Sequence, residues 1–223
     1  SLECEVKKVI ALSTDKAAAP NNLYGATKLT SDKLFLAGNY YKGAKESKFS
    51  VVRYGNVLGS RGSVVPFFLS KTKDEFTPIT DKKMTRFSIT LPDAVKFVTK
   101  SLMIMKGGEM FVQKIPSYRI TDLAKAILPK NKIKIVGMRP GEKLHEEMLT
   151  TGDSINTIEF PDKYVMFSRG DMIYKHESSP EEKFRRCTEN FSYNSRDNKH
   201  FLSHKELRDL IITHVPGANE LIT

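Results

Sequence analysis

Apolar residues in this chain come in short runs that stop abruptly at clusters of polar residues. The run Val9-Ile10-Ala11-Leu12 ends at Ser13-Thr14-Asp15-Lys16, a pattern that predicts a buried parallel strand. Phe49-Ser50-Val51-Val52-Arg53-Tyr54 predicts a second strand, ending at Gly55-Asn56-Val57-Leu58-Gly59. Between them, Pro20 and the Asn21-Asn22 pair predict a turn and a helix start, with the helix continuing to about Tyr40. Ser1 to Glu5 reads as a helix tail entering the first strand. Further helices are predicted over Val64 to Lys73, Pro92 to about Lys106 and Tyr118 to Ile127. Glu109 to Val112 and Lys132 to Val136 read as strands, the latter by its alternation. Arg139-Pro140-Gly141-Glu142-Lys143 predicts a tight turn before a helix, on whose solvated face His145, Glu146 and Glu147 would lie. Thr157 to Phe167 predicts strands and Glu177 to Glu189 a charged, mobile segment. Ser203 to Ile212 predicts a terminal helix opened by the capping pattern of Ser203 and Glu206.

Composition changes this picture little. The 223 residues are 39% hydrophobic and 28% charged, enough for one domain or one domain plus a small lobe. No apolar run reaches the length of a membrane span, and no signal peptide opens the chain. Cys4 and Cys187 are too few and too far apart for a disulfide framework or a zinc site, so the expectation is a cytoplasmic protein. His145-Glu146-Glu147 lacks the second histidine of H-E-x-x-H, and no metal is expected. Lys+Arg exceed Asp+Glu by 36 − 26 = 10. The lysines are scattered and no nucleic-acid motif accompanies them, so most of this charge reads as solvating.

The candidate chemistry begins where the first strand stops. Thr14, Asp15 and Lys16 fall at its carboxyl end, where open α/β sheets place their ligands. Tyr24 and Lys28 are spaced i, i+4 and share one helix face. An ammonium near a phenol favours the phenolate, which makes Tyr24 a candidate general base. Asn56, at the end of the second strand, reads either as a turn asparagine or as a ligand hydrogen-bonder. Arg86 lies among apolar residues, where it suits either a bidentate phosphate contact or a structural ion pair, for which Asp93 is a candidate partner.

Strand, T-D-K, turn and Y-x-x-x-K in succession resemble the extended short-chain dehydrogenase/reductase superfamily. The string STDKAAAPNNLYGATK is similar to one branch of it, the inverting UDP-N-acetylglucosamine 4,6-dehydratases that begin pseudaminic acid synthesis. The resemblance runs from Val6 to about Leu210 and is densest at STDK, YGATK, RYGNVLGSRGSVVPFF, MTRF and RPGEKLHE. Tyr24 belongs to the soluble form, since some membrane-anchored relatives carry methionine there.

The resemblance implies an α/β fold: the C-terminal part of a Rossmann-type doubly wound parallel sheet, followed by a smaller α+β substrate-binding lobe. On this expectation residues 1–60 form a partial NADP-binding Rossmann domain with the catalytic motif. Residues 61–223 form mainly the nucleotide-sugar lobe, with segments returning to the sheet. No G-x-G-x-x-G turn is present, so the glycine-rich first half of the sheet is expected to be lacking and this chain alone to bind NADP poorly. By resemblance Tyr24 is the base at the sugar 4-hydroxyl, Lys28 binds the nicotinamide ribose, and Thr14 holds the 4-oxygen. Asp15 and Lys16 act as acid and base of the elimination. Asn56, Arg86, Arg139 and Glu142 bind the UDP-sugar, the two arginines at its diphosphate and Glu142 at the ribose. The full-length form is expected to be a homo-oligomer. Two other readings stay open: a nucleotide-sugar 4-epimerase, and a catalytically silent sugar-nucleotide-binding remnant. Tyr193-Asn194-Ser195 resembles a tail motif that closes on the substrate lobe.

Overall fold

The computed structural model describes residues 1–170, 173 and 183–222. Residues 177–182 of the charged segment expected at Glu177 to Glu189 lie outside the described residues. The chain forms two compact units, each assembled from three separate segments.

The first unit comprises Ser1–Tyr54, Val95–Lys114 and Glu147–Tyr193. Its sheet places β1 (Lys8–Thr14), β2 (Lys48–Tyr54) and β5 (Glu109–Gln113) side by side and parallel. Antiparallel strands β10 (Lys163–Phe167), β9 (Thr157–Glu159) and β11 (Arg185–Arg186) continue it beyond β5. The α/β class and the parallel sheet expected from the sequence are therefore present. β1 differs in one respect from a strand buried on both faces. It stands at the sheet edge, with Ala11 and Ser13 buried and Leu12 48% exposed.

Helix α1 (Leu23–Tyr41) begins where the asparagine pair predicts, because Asn22 Oδ1 accepts a hydrogen bond from the Gly25 N–H at 2.8 Å. It packs closely on β2: a Cβ at Gly38 would stand 3.1 Å from the Phe49 ring. The core of this unit gathers Val52, Phe97, Phe111, Ile158, Val165 and Phe167, all buried. Ser1 to Glu5 is a turn instead of a helix tail. The Glu5 N–H bonds to the Leu2 carbonyl and Glu5 itself has φ 52°, outside the helical region.

The second unit comprises Gly55–Ala94, Ile115–Glu146 and the segment from Asn194 onward. Helix α2 (Val64–Leu69) is shorter than the sequence suggests, because the chain turns at Lys71–Asp74 to enter β3 (Phe76–Ile79). β3 pairs in parallel with β7 (Lys132–Ile135), and β4 (Thr85–Phe87) pairs antiparallel with β6 (Ser117–Arg119). The helix expected from Tyr118 thus starts later, as α4 (Ile120–Ile127), since β4 takes Tyr118 into a ladder. Between them in sequence, α3 (Leu91–Ile104) carries the chain back into the first unit.

Helix α5 (His204–His214) has the capping box read from the sequence, with Ser203 N–H on Glu206 Oε2 at 2.8 Å, and α6 (Ala218–Leu221) follows. Phe68, Leu123, Ile127, Leu207 and Ile211 fill this core. No helix follows the R-P-G-E-K turn. The backbone bends at Leu144 and His145 and enters β8 (Glu147–Leu149), because Leu144 and Glu146 bond to Thr85 and Ser195 and not along a helix. Among the described residues no helix is long and apolar enough to cross a membrane.

Candidate active site

In the first unit, Thr14 ends β1 and caps a single 3-10 turn, Asp15–Ala17. Its hydroxyl donates to Asp15 Oδ1 at 2.8 Å, and Lys16 Nζ lies 3.2 Å from the same oxygen. Asp15 is wholly buried, and its other oxygen, Oδ2, has no hydrogen-bond partner among the described residues. A buried carboxyl oxygen with unspent bonding capacity is costly unless it serves a ligand or a proton. The T-D-K cluster expected from the sequence is therefore one contiguous group at the strand's carboxyl end.

Tyr24 lies in the first turn of α1 and is 55% exposed. Lys28 donates to the Leu12 carbonyl at 2.8 Å, which ties the helix to the last residues of β1. Tyr54, ending β2, is held above its ordinary pKa by burial and then by Tyr24. It is a neutral phenol beside Tyr24 and not a competing base.

Two features of this site escape the sequence reading. Gly25 lets α1 start directly against the T-D-K turn: a Cβ there would stand 2.4 Å from the Lys16 carbonyl oxygen. The signal was present in Y-G-A-T-K, where a glycine inside a helix's first turn is unfavourable unless a backbone approaches closely. The second is a buried ion pair one turn beyond Lys28. Asp32 Oδ2 accepts from Ser13 Oγ at 2.8 Å and from Arg53 Nη2 at 2.9 Å, and Arg53 Nη1 donates to the Met148 carbonyl at 2.8 Å. Asp32 continues the i, i+4 series of Tyr24 and Lys28.

The second unit carries the residues expected to hold the nucleotide sugar. The side-chain Oδ1 of Asn56, an acceptor, is buried and has no hydrogen-bond donor among the described residues. Its backbone carbonyl accepts from Ile89 N–H at 3.1 Å, which fixes the residue in place. Arg86 is nearly buried and much engaged. Nη1 donates to the Thr85 carbonyl at 2.7 Å and the Leu144 carbonyl at 3.2 Å, and Nη2 to the Lys143 carbonyl at 2.8 Å. Its carboxylate neighbours are Glu146 at 3.4 Å and Glu142 at 4.0 Å. Asp93, the ion-pair partner suggested by spacing, instead accepts from Thr90 Oγ1 at 2.6 Å, because it belongs to the first turn of α3.

Arg139-Pro140-Gly141-Glu142 closes as a four-residue turn, with Glu142 N–H on the Arg139 carbonyl at 3.1 Å and Gly141 at φ 77°. Proline second and a positive-φ glycine third are the requirements of a type II turn. Glu142 Oε2 accepts the Arg139 N–H at 3.0 Å, leaving the Arg139 side chain exposed on the turn. His145 and Glu146 are not a solvated helix face. Glu146 is buried, and His145 Nδ1 lies 2.8 Å from Thr85 Oγ1. Ser195, in the tail motif, bonds to both Glu146 and Thr85.

The structure thus gathers Thr14, Asp15, Lys16, Tyr24 and Lys28 in one unit, and Asn56, Arg86, Arg139 and Glu142 in the other. The sequence profile described as polysaccharide biosynthesis protein matches residues 1–168. The UDP-N-acetylglucosamine 4,6-dehydratase (inverting) of Campylobacter jejuni subsp. jejuni serotype O:23/36 (strain 81-176) is 52% identical over 219 residues, 95% of this chain and 65% of that relative. A UDP-glucose 4-epimerase of Rickettsia canadensis (strain McKiel) is 36% identical over 221 residues, 96% of this chain and 63% of the relative. The X-ray structure of Pen from Bacillus thuringiensis matches with a TM-score of 0.82 at 36% identity, covering 95% of this chain and 64% of that one. This chain therefore spans less than two thirds of the length of each of these proteins.

Proposed function

Since the chain belongs to the polysaccharide biosynthesis protein family, we propose that it forms the catalytic and sugar-binding part of a UDP-N-acetylglucosamine 4,6-dehydratase that inverts C5. The substrate is UDP-N-acetylglucosamine, the cofactor NADP, and the product a UDP-4-keto-6-deoxy sugar of pseudaminic acid biosynthesis, made in the cytoplasm by a homo-oligomer. The 52% identity to the Campylobacter jejuni enzyme supports this choice of reaction. The observation that carries it is the buried Asp15, tethered by Thr14 and Lys16 with Oδ2 unspent. Epimerisation at C4 needs a base at the hydroxyl and a hydride carrier, but no further acid or base. Elimination of water needs a further acid and base, and Asp15-Lys16 provides both.

Tyr24 and Lys28 fit a nicotinamide ribose, since a half-exposed phenol and an ammonium anchored at the end of β1 are the donors its hydroxyls require. When bound, that cofactor accepts and later returns a hydride. Tyr24 takes the proton from the sugar 4-hydroxyl, and Thr14 holds that oxygen. Lys16 removes the C5 proton, acidified by the 4-keto group, and Asp15 protonates the departing 6-hydroxyl. Exposed Arg139 binds the diphosphate, with Arg86 fixing the backbone of the same loop, while Glu142 and Asn56 meet ribose or sugar hydroxyls.

The test is mass spectrometry of the product formed from UDP-N-acetylglucosamine and NADP by the protein that carries this sequence. Loss of one water is expected. A product of unchanged mass altered at C4 would identify an epimerase, and binding of UDP without any product a silent remnant.

A further inference from the structure

The loop that carries Arg139 and Glu142 also carries His145, whose hydrogen bonds leave little freedom in where its proton sits. Glu146 N–H donates to Ser195 Oγ at 2.9 Å. Ser195 Oγ lies 2.7 Å from Thr85 Oγ1, which lies 2.8 Å from His145 Nδ1. Ser195 is fully buried, and Thr85 is 5% exposed. A hydroxyl has one proton to give. Run from the fixed donor, the series is consistent in one direction. Glu146 N–H gives to Ser195, the Ser195 hydroxyl gives to Thr85, and the Thr85 hydroxyl gives to a bare Nδ1. With a proton on Nδ1, either Ser195 or Thr85 accepts twice, and the proton of that buried hydroxyl has no acceptor among the described residues, a cost of buried polar groups.

From this relay we propose that His145 is a further substrate-binding residue: a neutral imidazole, locked with its proton on Nε2, that donates to an anionic oxygen of the nucleotide diphosphate. Nε2 diverges from the Thr85 side of the ring, and the residue is half-buried. The groups that face it are Arg86 of β4, Arg196 and Asp197 following Ser195, and Asp81 ahead of β4. Burial and the two arginines hold it below the ordinary imidazole pKa, consistent with a neutral donor. The inference rests on the UDP-sugar reading of this unit.

Histidine-labelled protein is examined by long-range proton–nitrogen correlation at neutral pH, alone and with UDP. A bare Nδ1, a protonated Nε2, and movement of the Nε2 signal on adding UDP are expected. Thr85→Val is expected to release the ring into mixed tautomers, and Thr85→Ser to restore the single one. His145→Ala is expected to weaken UDP binding about tenfold, with His145→Gln, which keeps a donor near Nε2, losing less. A proton on Nδ1 overturns the proposal, as does UDP affinity unchanged in a folded His145→Ala. If UDP binds normally in that variant, only this inference fails. If wild-type protein binds no UDP, the nucleotide-sugar reading fails with it.

Discussion

Arg53 donates through Nη2 to Asp32 Oδ2 at 2.9 Å, and both side chains are almost wholly buried. The pair joins β2 to α1, and Ser13, donating to the same oxygen, adds the end of β1. Removing one member leaves an uncompensated charge in the interior. Asp32→Ala is expected to destabilise the protein by about 3–5 kcal/mol, measured by urea denaturation. A loss below about 1 kcal/mol would place the pair with surface salt bridges in its effect.

Gly25→Ala probes the contact between α1 and the T-D-K turn. The added methyl would stand 2.4 Å from a backbone oxygen, which has no flexible end to give way. A cost of about 1–3 kcal/mol is expected from overpacking. Turnover should fall as well, because relief requires Tyr24 to move away from Asp15 and Lys16. Wild-type turnover together with an unchanged melting temperature would show that the helix start tolerates the shift.

Tyr24→Phe keeps the ring and removes the proton acceptor. Turnover is expected to drop by roughly two to four orders of magnitude while UDP affinity holds. Near-normal rates would assign the base elsewhere.

The two arginines should separate cleanly. Arg139 is exposed on its turn, so Arg139→Ala should weaken UDP binding by about 1.5–3 kcal/mol in calorimetry and leave the melting temperature alone. Arg86 is bound to three backbone carbonyls, so Arg86→Ala should lower the melting temperature. Equal thermal effects in the two variants would contradict this division.

Acid should destabilise the protein through His145. Its folded pKa lies below the ordinary 6.5, so on acidification the unfolded chain takes up the proton first. The group's contribution is complete above the unfolded value and is lost as pH falls through that value toward the folded one. Melting temperature should therefore decline more steeply as pH falls below about 6.5 in wild type than in His145→Gln. Parallel declines would mean that other groups govern the acid limb.

Several strands and helices were legible because each is announced locally: an apolar run for β1, an asparagine cap for α1, S-x-x-E for α5. Tyr24 and Lys28 both fall on α1, as their i, i+4 spacing predicts. What spacing could not supply was the partner of a buried charge. Arg86 finds its carboxylates 56 and 60 residues on, at Glu142 and Glu146, and Arg53 of β2 finds Asp32 on helix α1. His145-Glu146 was misread as helical because its non-helical course depends on bonds to Thr85 and Ser195, far apart in sequence. Gly25 was visible as a residue, but its contact with Lys16 depends on how the turn folds back.

Each unit is threaded from three separate lengths of chain, and this bears on how the protein is made. On the ribosome β1 and β2 emerge before the strands that flank them, for β2 has its second neighbour only after the chain has reached Gln113, and β5 its own only after Phe167. Closing such long loops is slow relative to local helix formation. The nascent sheet consequently waits with Val51, Val52 and Phe111 unshielded, an interval in which a chaperone has most to protect and an untimely release most to lose.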